Sequence, residues 1–384
     1  MKFYKIMLKK IVVASDSFKG SLTSLDVAQN VEKAIREVYP LCDVLKVNVA
    51  DGGEGTMEAL QQTLGGVRVS LVVKDPLGRE IEATYVILND GITAVVEMSA
   101  ASGLPLLKSD ERNPLKTSTY GTGQLICDAL DRGCRKILVG IGGSATNDAG
   151  MGMLQALGYR FLDAQGNQLQ PVGENLQLVS SIDSTGRHPD LDKTEFVVAC
   201  DVKAPLYGRN GAAYVFAPQK GADQKMVEML DAGLRHFSEV SSAMAGYDCS
   251  QMQGTGAAGG LGYAFRQYLD ARLERGIEMV LDAIGFDDII SGADLVITGE
   301  GRVDSQTLTG KTPFGVAQHA HRQRIPVVVI GGSVEIDVLQ VREAGFNDVI
   351  QVTPLDMPLS VAMRPEVAAE NVYNAIIKYL TDHE

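Results

Sequence analysis

Short β-branched runs that break directly into glycine-rich, acidic loops stand at both ends of this chain, most of them leading into a helical pattern. The first is Ile11-Val12-Val13-Ala14, which leads into Asp16-Ser17-Phe18-Lys19-Gly20-Ser21. Thr23 or Ser24 then caps a helix whose apolar positions Ala28, Val31, Ile35 and Val38 recur at helical spacing until Pro40. A second copy follows at once. Val44 to Val49 is its strand, Asp51-Gly52-Gly53-Glu54-Gly55 its loop, and Thr56 opens a helix that Gly65 closes. Near residue 290 the pattern returns, with Leu295 to Thr298 running into Gly299-Glu300-Gly301-Arg302-Val303-Asp304. Pro326 to Ile330 is another strand, ending at Gly331-Gly332-Ser333, and Val349 to Val352 a further one. Strands joined through helices lie parallel, because a crossover returns the chain to the same edge.

The middle of the chain reads differently. Arg68 to Val73, Ile81 to Leu88 and Ile92 to Met98 are separated by Asp75-Pro76-Leu77-Gly78 and Asn89-Asp90-Gly91, which predicts an antiparallel meander. A helix near Gly123 to Leu130 follows, with strands at Lys136 to Ile141, Phe196 to Ala199 and Ala213 to Phe216. At 384 residues the chain exceeds what one core usually organises. The predicted class is α/β. Both chain ends (residues 1–70 and 290–384) form one parallel-sheet domain, and residues 71–289 form an inserted mixed α+β domain.

Charge narrows the partners. A net charge of −13 opposes association with phosphate backbones, so nucleic acid is excluded, and an anionic substrate needs a local cluster of donors. Cys42, Cys127, Cys134, Cys200 and Cys249 are odd in number and form no Cys-x-x-Cys pair, which points to a reducing cytoplasm. The apolar run after the lysine-rich start is too short for a signal peptide, and no stretch approaches a membrane span. The expectation is a cytoplasmic protein acting on small molecules, with homo-oligomerisation left open.

In open parallel sheets, ligands bind beyond the carboxyl ends of the strands, where unpaired N–H groups favour anions. Five loops fit: Asp16 to Ser21, Asp51 to Thr56, Gly140 to Gly150, Asp201 to Gly211 and Glu300 to Thr312. Within the third, Gly142-Gly143-Ser144 with Thr146 reads either as a phosphate nest or as a tight turn with a plain N-cap. Asp51 and Glu54 flank paired glycines, Asp201 follows an apolar run, and Asp304 lies four residues after Glu300. One loop aspartate usually bonds its own backbone. Several together suit phosphoryl transfer, which needs oxygen ligands for Mg²⁺ and a carboxylate for the hydroxyl proton. Lys19, Arg302, Lys203, Arg209, Lys220 and Lys311 are the candidate cations.

Two tempting motifs fail on context. Gly310-Lys311-Thr312 resembles the end of a Walker A loop, but Ser305 and Gln306 stand where its opening glycine should be. Gly254 to Gly259 matches a dinucleotide fingerprint, yet Asp248 to Gln253 is no strand, and small residues at a close helix contact explain it better. The histidines show no metal spacing.

In combination and order, the loops resemble the bacterial-type glycerate kinase family, known as glycerate kinase type I. The matching segments include Asp16 to Ser21, Ala50 to Thr56, Glu97 to Leu104, Gly142 to Asp148, Ala199 to Val202, Pro218 to Ala222 and Ile297 to Asp304. Ser15 departs from the family's usual proline, and Gly331-Gly332-Ser333 has no clear counterpart. The resemblance implies ATP-dependent phosphorylation of D-glycerate with Mg²⁺, more often at the 2-hydroxyl than the 3-hydroxyl. It also implies that the chain-end domain is Rossmann-like and that the inserted domain closes a cleft. Their clustering at strand ends makes Asp51 and Asp304 the candidates to position metal or nucleophile, with Glu54 beside Asp51 at the metal and Asp201 as the base. Lys19 and Arg302 hold the substrate carboxylate or the transferred phosphoryl group, with Ser17, Glu300, Gly142, Gly143, Ser144 and Thr146 around them. A nicotinamide-dependent dehydrogenase and a hydroxy-acid sensor are the rival readings.

Overall fold

The computed structural model describes residues 8–51 and 55–382. In chain order its strands begin with β1 (Lys10–Val13), β2 (Asp43–Lys46), β3 (Gly66–Lys74), β4 (Glu80–Leu88), β5 (Thr93–Glu97), β6 (Lys136–Gly140) and β7 (Arg160–Leu162). They continue with β8 (Ser181–Asp183), β9 (Glu195–Ala199), β10 (Arg272–Glu274), β11 (Leu295–Val303), β12 (Val327–Val334) and β13 (Asp348–Gln351). The chain divides into two compact units, Met1–Asp51 with Val280–Glu384, and Gly52–Met279.

The first unit is built on a parallel sheet in the order β13-β12-β11-β1-β2. Its central strands are apolar without alternation because both faces are covered; Ile11, Val12, Val13, Val296 and Ile297 are fully buried. The helix Ser24–Val38 starts at a capping box in which Thr23 and Asp26 satisfy each other's backbone N–H groups. Its apolar stripe of Val27, Val31 and Ile35 shares a core with Val372 and Ile376 of the helix Pro365–Asp382.

Here the structure corrects one expectation that matters for function. The strand at Leu295 does not end at Thr298 but runs on to Val303, so Glu300 and Arg302 sit in a strand and not in a loop. Glycines make this pairing possible. A Cβ on Gly299 would lie 2.6 Å from the Ile330 carbonyl oxygen, and one on Gly332 would lie 2.5 Å from that of Gly301. Composition that reads as a turn in isolation instead lets β11 and β12 pack closely. Strand alternation then turns Glu300 and Arg302 to the same face.

The second unit holds a mixed sheet in the order β10-β9-β6-β5-β4-β3. β3, β4 and β5 pair antiparallel as the turn signals predict, with Asp75 accepting the N–H groups of Leu77 and Arg79 in the first turn. β5 also pairs parallel with β6, so the meander is joined to a parallel array of β5, β6, β9 and β10. The helix Thr56–Leu64 and β3 fall in this unit, where Met57 N–H bonds Glu97 and β3 pairs along its length with β4. Ala213 to Phe216, expected as a strand, lies in the helix Ala212–Phe216. Its alanines are fully buried, and burial against the core overrides the local strand propensity of Tyr, Val and Phe. Tyr85, Phe161, Phe237, Tyr263 and Phe265 anchor the core.

Candidate active site

A cleft of about 740 Å³ opens at the carboxyl ends of the strands of the first unit. β1 and β11 are locked together at its floor: the Thr298 hydroxyl donates to Ala14 O at 2.6 Å and Asp16 N–H to Gly299 O at 2.9 Å. Asp16, Ser17, Lys19, Asp51, Glu300, Arg302 and Lys311 all line the cleft. The Asp16 carboxylate accepts from Ser17 N–H at 2.6 Å and from the Thr312 hydroxyl at 3.4 Å. Thr312 is the first residue of the helix Thr312–Arg322, whose N-terminus therefore points its partial positive charge at these carboxylates.

Lys311 links two of the sequence candidates. Its ammonium lies 3.0 Å from Glu300 Oε2 and 4.0 Å from Asp304 Oδ1. Arg302 pairs with Asp304 at 3.2 Å and with Glu335 at 3.8 Å. Glu300 is only 8% exposed, and its second oxygen, Oε1, is buried with no hydrogen-bond partner. Burial raises the Asp16 carboxyl above its ordinary range; Ser17 N–H and Lys19 oppose the rise, while Asp51 and Glu300 reinforce it. Partial burial also pushes Asp304 upward, but the N–H groups of Gln306 and Thr307 with Lys311 and Arg302 outweigh it and hold the group low.

The second unit carries a different cluster. Lys220 is 1% exposed, and its ammonium donates to Ser144 Oγ and to Thr146 O, both at 2.7 Å. Burial pulls it down to about 7, against the pull of Asp148. Asp148, itself raised by burial, accepts the Thr119 N–H and hydroxyl and the N–H groups of Gly150 and Gly152. So the loop is shaped by Asp148 and Lys220, and neither Ser144 nor Thr146 caps the helix Met151–Ala156. Gly142 and Gly143 are exposed, whereas Thr146 and Asn147 are fully buried with side-chain atoms lacking partners. Asp201 is exposed after β9 and accepts Gly276 N–H at 3.3 Å.

The first unit thus gathers Asp51, Asp304, Lys19, Ser17, Arg302 and Glu300, while Gly142, Gly143, Ser144, Thr146 and Asp201 belong to the second. Glu54 lies outside the described residues. Sequence reasoning did not single out Asp16, three residues beyond the end of β1, and named Lys311 only as one of several candidate cations, without its pairing to Glu300 and Asp304. Gly254 to Gly259 follows no strand, and a Cβ on Gly259 would lie 2.0 Å from Thr146 O. That is a close packing contact and not a groove for pyrophosphate. Cys127, Asp131 and His188 converge within 4.8 Å. However, His188 Nδ1 accepts Asp190 N–H, which leaves the proton on Nε2 facing Asp131 and no ring lone pair for a metal.

Comparison with known proteins places this architecture. The model of the glycerate kinase family matches residues 11–381. A glycerate kinase of Bacillus subtilis (strain 168) is 47% identical over 361 residues, covering 94% of each chain. A glycerate 2-kinase of Escherichia coli (strain K12) is 46% identical over 343 residues, covering 89% of this chain and 90% of that one. A crystal structure described as glycerate kinase 2 from Salmonella typhimurium LT2 superposes with a TM-score of 0.88 at 44% identity, over 98% of both chains.

Proposed function

The chain belongs to the glycerate kinase family, and from that premise we propose that it transfers the γ-phosphoryl group of ATP to the 2-hydroxyl of D-glycerate. It is a phosphotransferase with an alcohol as acceptor. The name of the Escherichia coli relative supports the 2-position.

One observation carries the reading: cations and carboxylates interleave at the strand ends of one cleft. Lys311, Lys19 and Arg302 supply positive charge to phosphate oxygens, and Lys311 is held in place by Glu300 and Asp304. Asp304 stays ionised under its N–H donors and so keeps Lys311 and Arg302 oriented. Asp201 takes the proton as the glycerate oxygen bonds to phosphorus and the bond to the ADP oxygen breaks. The cleft also fits a divalent cation. Asp16, Asp51 and Glu300 offer only oxygen donors, and the bare Glu300 Oε1 is a buried acceptor in want of a partner. Mg²⁺ bound there would neutralise charge on the transferring phosphate. No helix of the described residues is long and apolar enough to cross a membrane.

The test is ADP release in the presence of D-glycerate, L-glycerate, glycolate or tartronate, with the product assigned by phosphorus NMR. Release with D-glycerate and a 2-phospho product is expected. Binding of the acids without ADP release would instead favour a sensor.

A further inference from the structure

The cleft of the first unit has two halves of opposite chemistry. One end carries Lys19, Arg302 and Lys311 among the carboxylates; the other is a wall of carbon side chains from the segment that follows β13. That wall includes Pro354, Leu355, Met357, Leu359 and Met363. Leu355 is 94% exposed and Leu359 75% exposed, although each is large, apolar and lines a cavity. Among the described residues little covers them, and apolar surface in a concave site marks a ligand. Between the lining residues Lys19 and Ser21, Gly20 has a left-handed φ of +83°, and its missing side chain admits Met363 Cε, which a Cβ there would approach to 2.9 Å.

Size and polarity together select the occupant. A volume of about 740 Å³ suits a drug-sized molecule. A three-carbon acid would leave most of it empty and has no apolar part to cover the leucines. A molecule with a flat ring system at one end and a polyanion at the other satisfies both halves.

The side chains of Pro354, Leu355, Met357, Leu359 and Met363 offer no strong hydrogen-bonding group to a ring's edge. Gln351 brings an amide to the cleft lining, and both its ends are engaged: Nε2 donates to Thr353 O at 2.9 Å and Oε1 accepts Val334 N–H at 3.2 Å. Asn371 Nδ2 is turned to Met357 Sδ at 3.4 Å. Sites without a dedicated polar partner discriminate poorly between isosteric rings.

Resting on the phosphoryl-transfer reading above, we infer that the Pro354–Met363 wall is the base subsite of a nucleoside triphosphate. Its side chains hold the ring by contact alone, so purine triphosphates other than ATP also serve as donors.

The experiment compares the intact chain with Leu355→Asp and Leu359→Asp, both at exposed positions, after checking that melting temperatures agree. KM for ATP should rise about tenfold in each, equivalent to ~1.4 kcal/mol, while KM for glycerate moves by less than about twofold. The unmodified chain should use GTP and ITP with kcat/KM within about tenfold of ATP. An unchanged KM for ATP in both variants would overturn the subsite, and an ATP preference beyond about a hundredfold would overturn reading by contact. Should the unmodified chain release no ADP with any acid, the phosphotransfer reading fails by itself. Binding of a fluorescent N-methylanthraniloyl ADP then decides the wall: weakened binding in both variants supports it, equal binding or none at all overturns it.

Discussion

Replacing Lys220 with methionine isolates what it takes to bury an amine. In the folded chain burial lowers this group from its ordinary 10.5 to about 7. In the unfolded chain the side chain holds its proton up to the ordinary value, so between the two the unfolded state binds more protons. Stability therefore rises with pH across that window; the penalty is fully present below about pH 7 and gone above 10.5. The whole window amounts to roughly 5 kcal/mol, of which about 2 kcal/mol accrues between pH 7 and 9. Methionine has similar length and no proton to exchange, so the variant loses this slope. It also loses the donors to Ser144 Oγ and Thr146 O, a pH-independent deficit of about 1–3 kcal/mol. The stability of the unmodified chain minus that of the variant should therefore rise by about 2 kcal/mol from pH 7 to pH 9, starting from a variant that is the more stable of the two at pH 7. Urea unfolding at intermediate pH values measures it, and the difference cancels other groups that titrate in both proteins. Hydrogen exchange over the segment 136–156 confines the readout to the second unit. Parallel stability curves would refute the argument, because they would mean that the amine stays charged inside the fold.

Three further outcomes follow from the geometry. Asp201→Asn should keep its melting temperature and lose about 10²–10⁴-fold in kcat with glycerate; near-normal turnover would remove it as the base. Lys311→Met leaves Glu300 and Asp304 without their shared cation, and kcat/KM for ATP should fall about a hundredfold in steady-state assays. Gly259→Ala forces a Cβ to within 2.0 Å of Thr146 O at a φ of +68°, and urea titration should show a loss of more than about 2 kcal/mol.

Much of the first unit is legible from its residues because the decisive forces are local. Thr23 and Asp26 stand three positions apart and cap a helix whatever lies beyond it. Ile11 to Val13, Leu295 to Ile297 and Val327 to Ile330 are apolar throughout, as strand segments covered on both faces must be.

What the residues could not announce depends on partners far along the chain. Gly299-Glu300-Gly301 has the composition of a turn until β12 lies alongside it and turns glycine into a device for close approach. Thr312 reaches Asp16 across 296 positions, and Lys220 reaches Ser144 across 76. The sequence by itself determined the opening strand–loop–helix unit with its acidic loop at Asp16 and, through the order of its motifs, the family. Tertiary structure alone decided that Glu300 is a buried carboxylate beside Lys311, and that Lys220 is an amine close to neutrality. Capping and periodicity act between neighbours, whereas desolvation belongs to the packed whole, and a residue acquires it only when the chain closes around it.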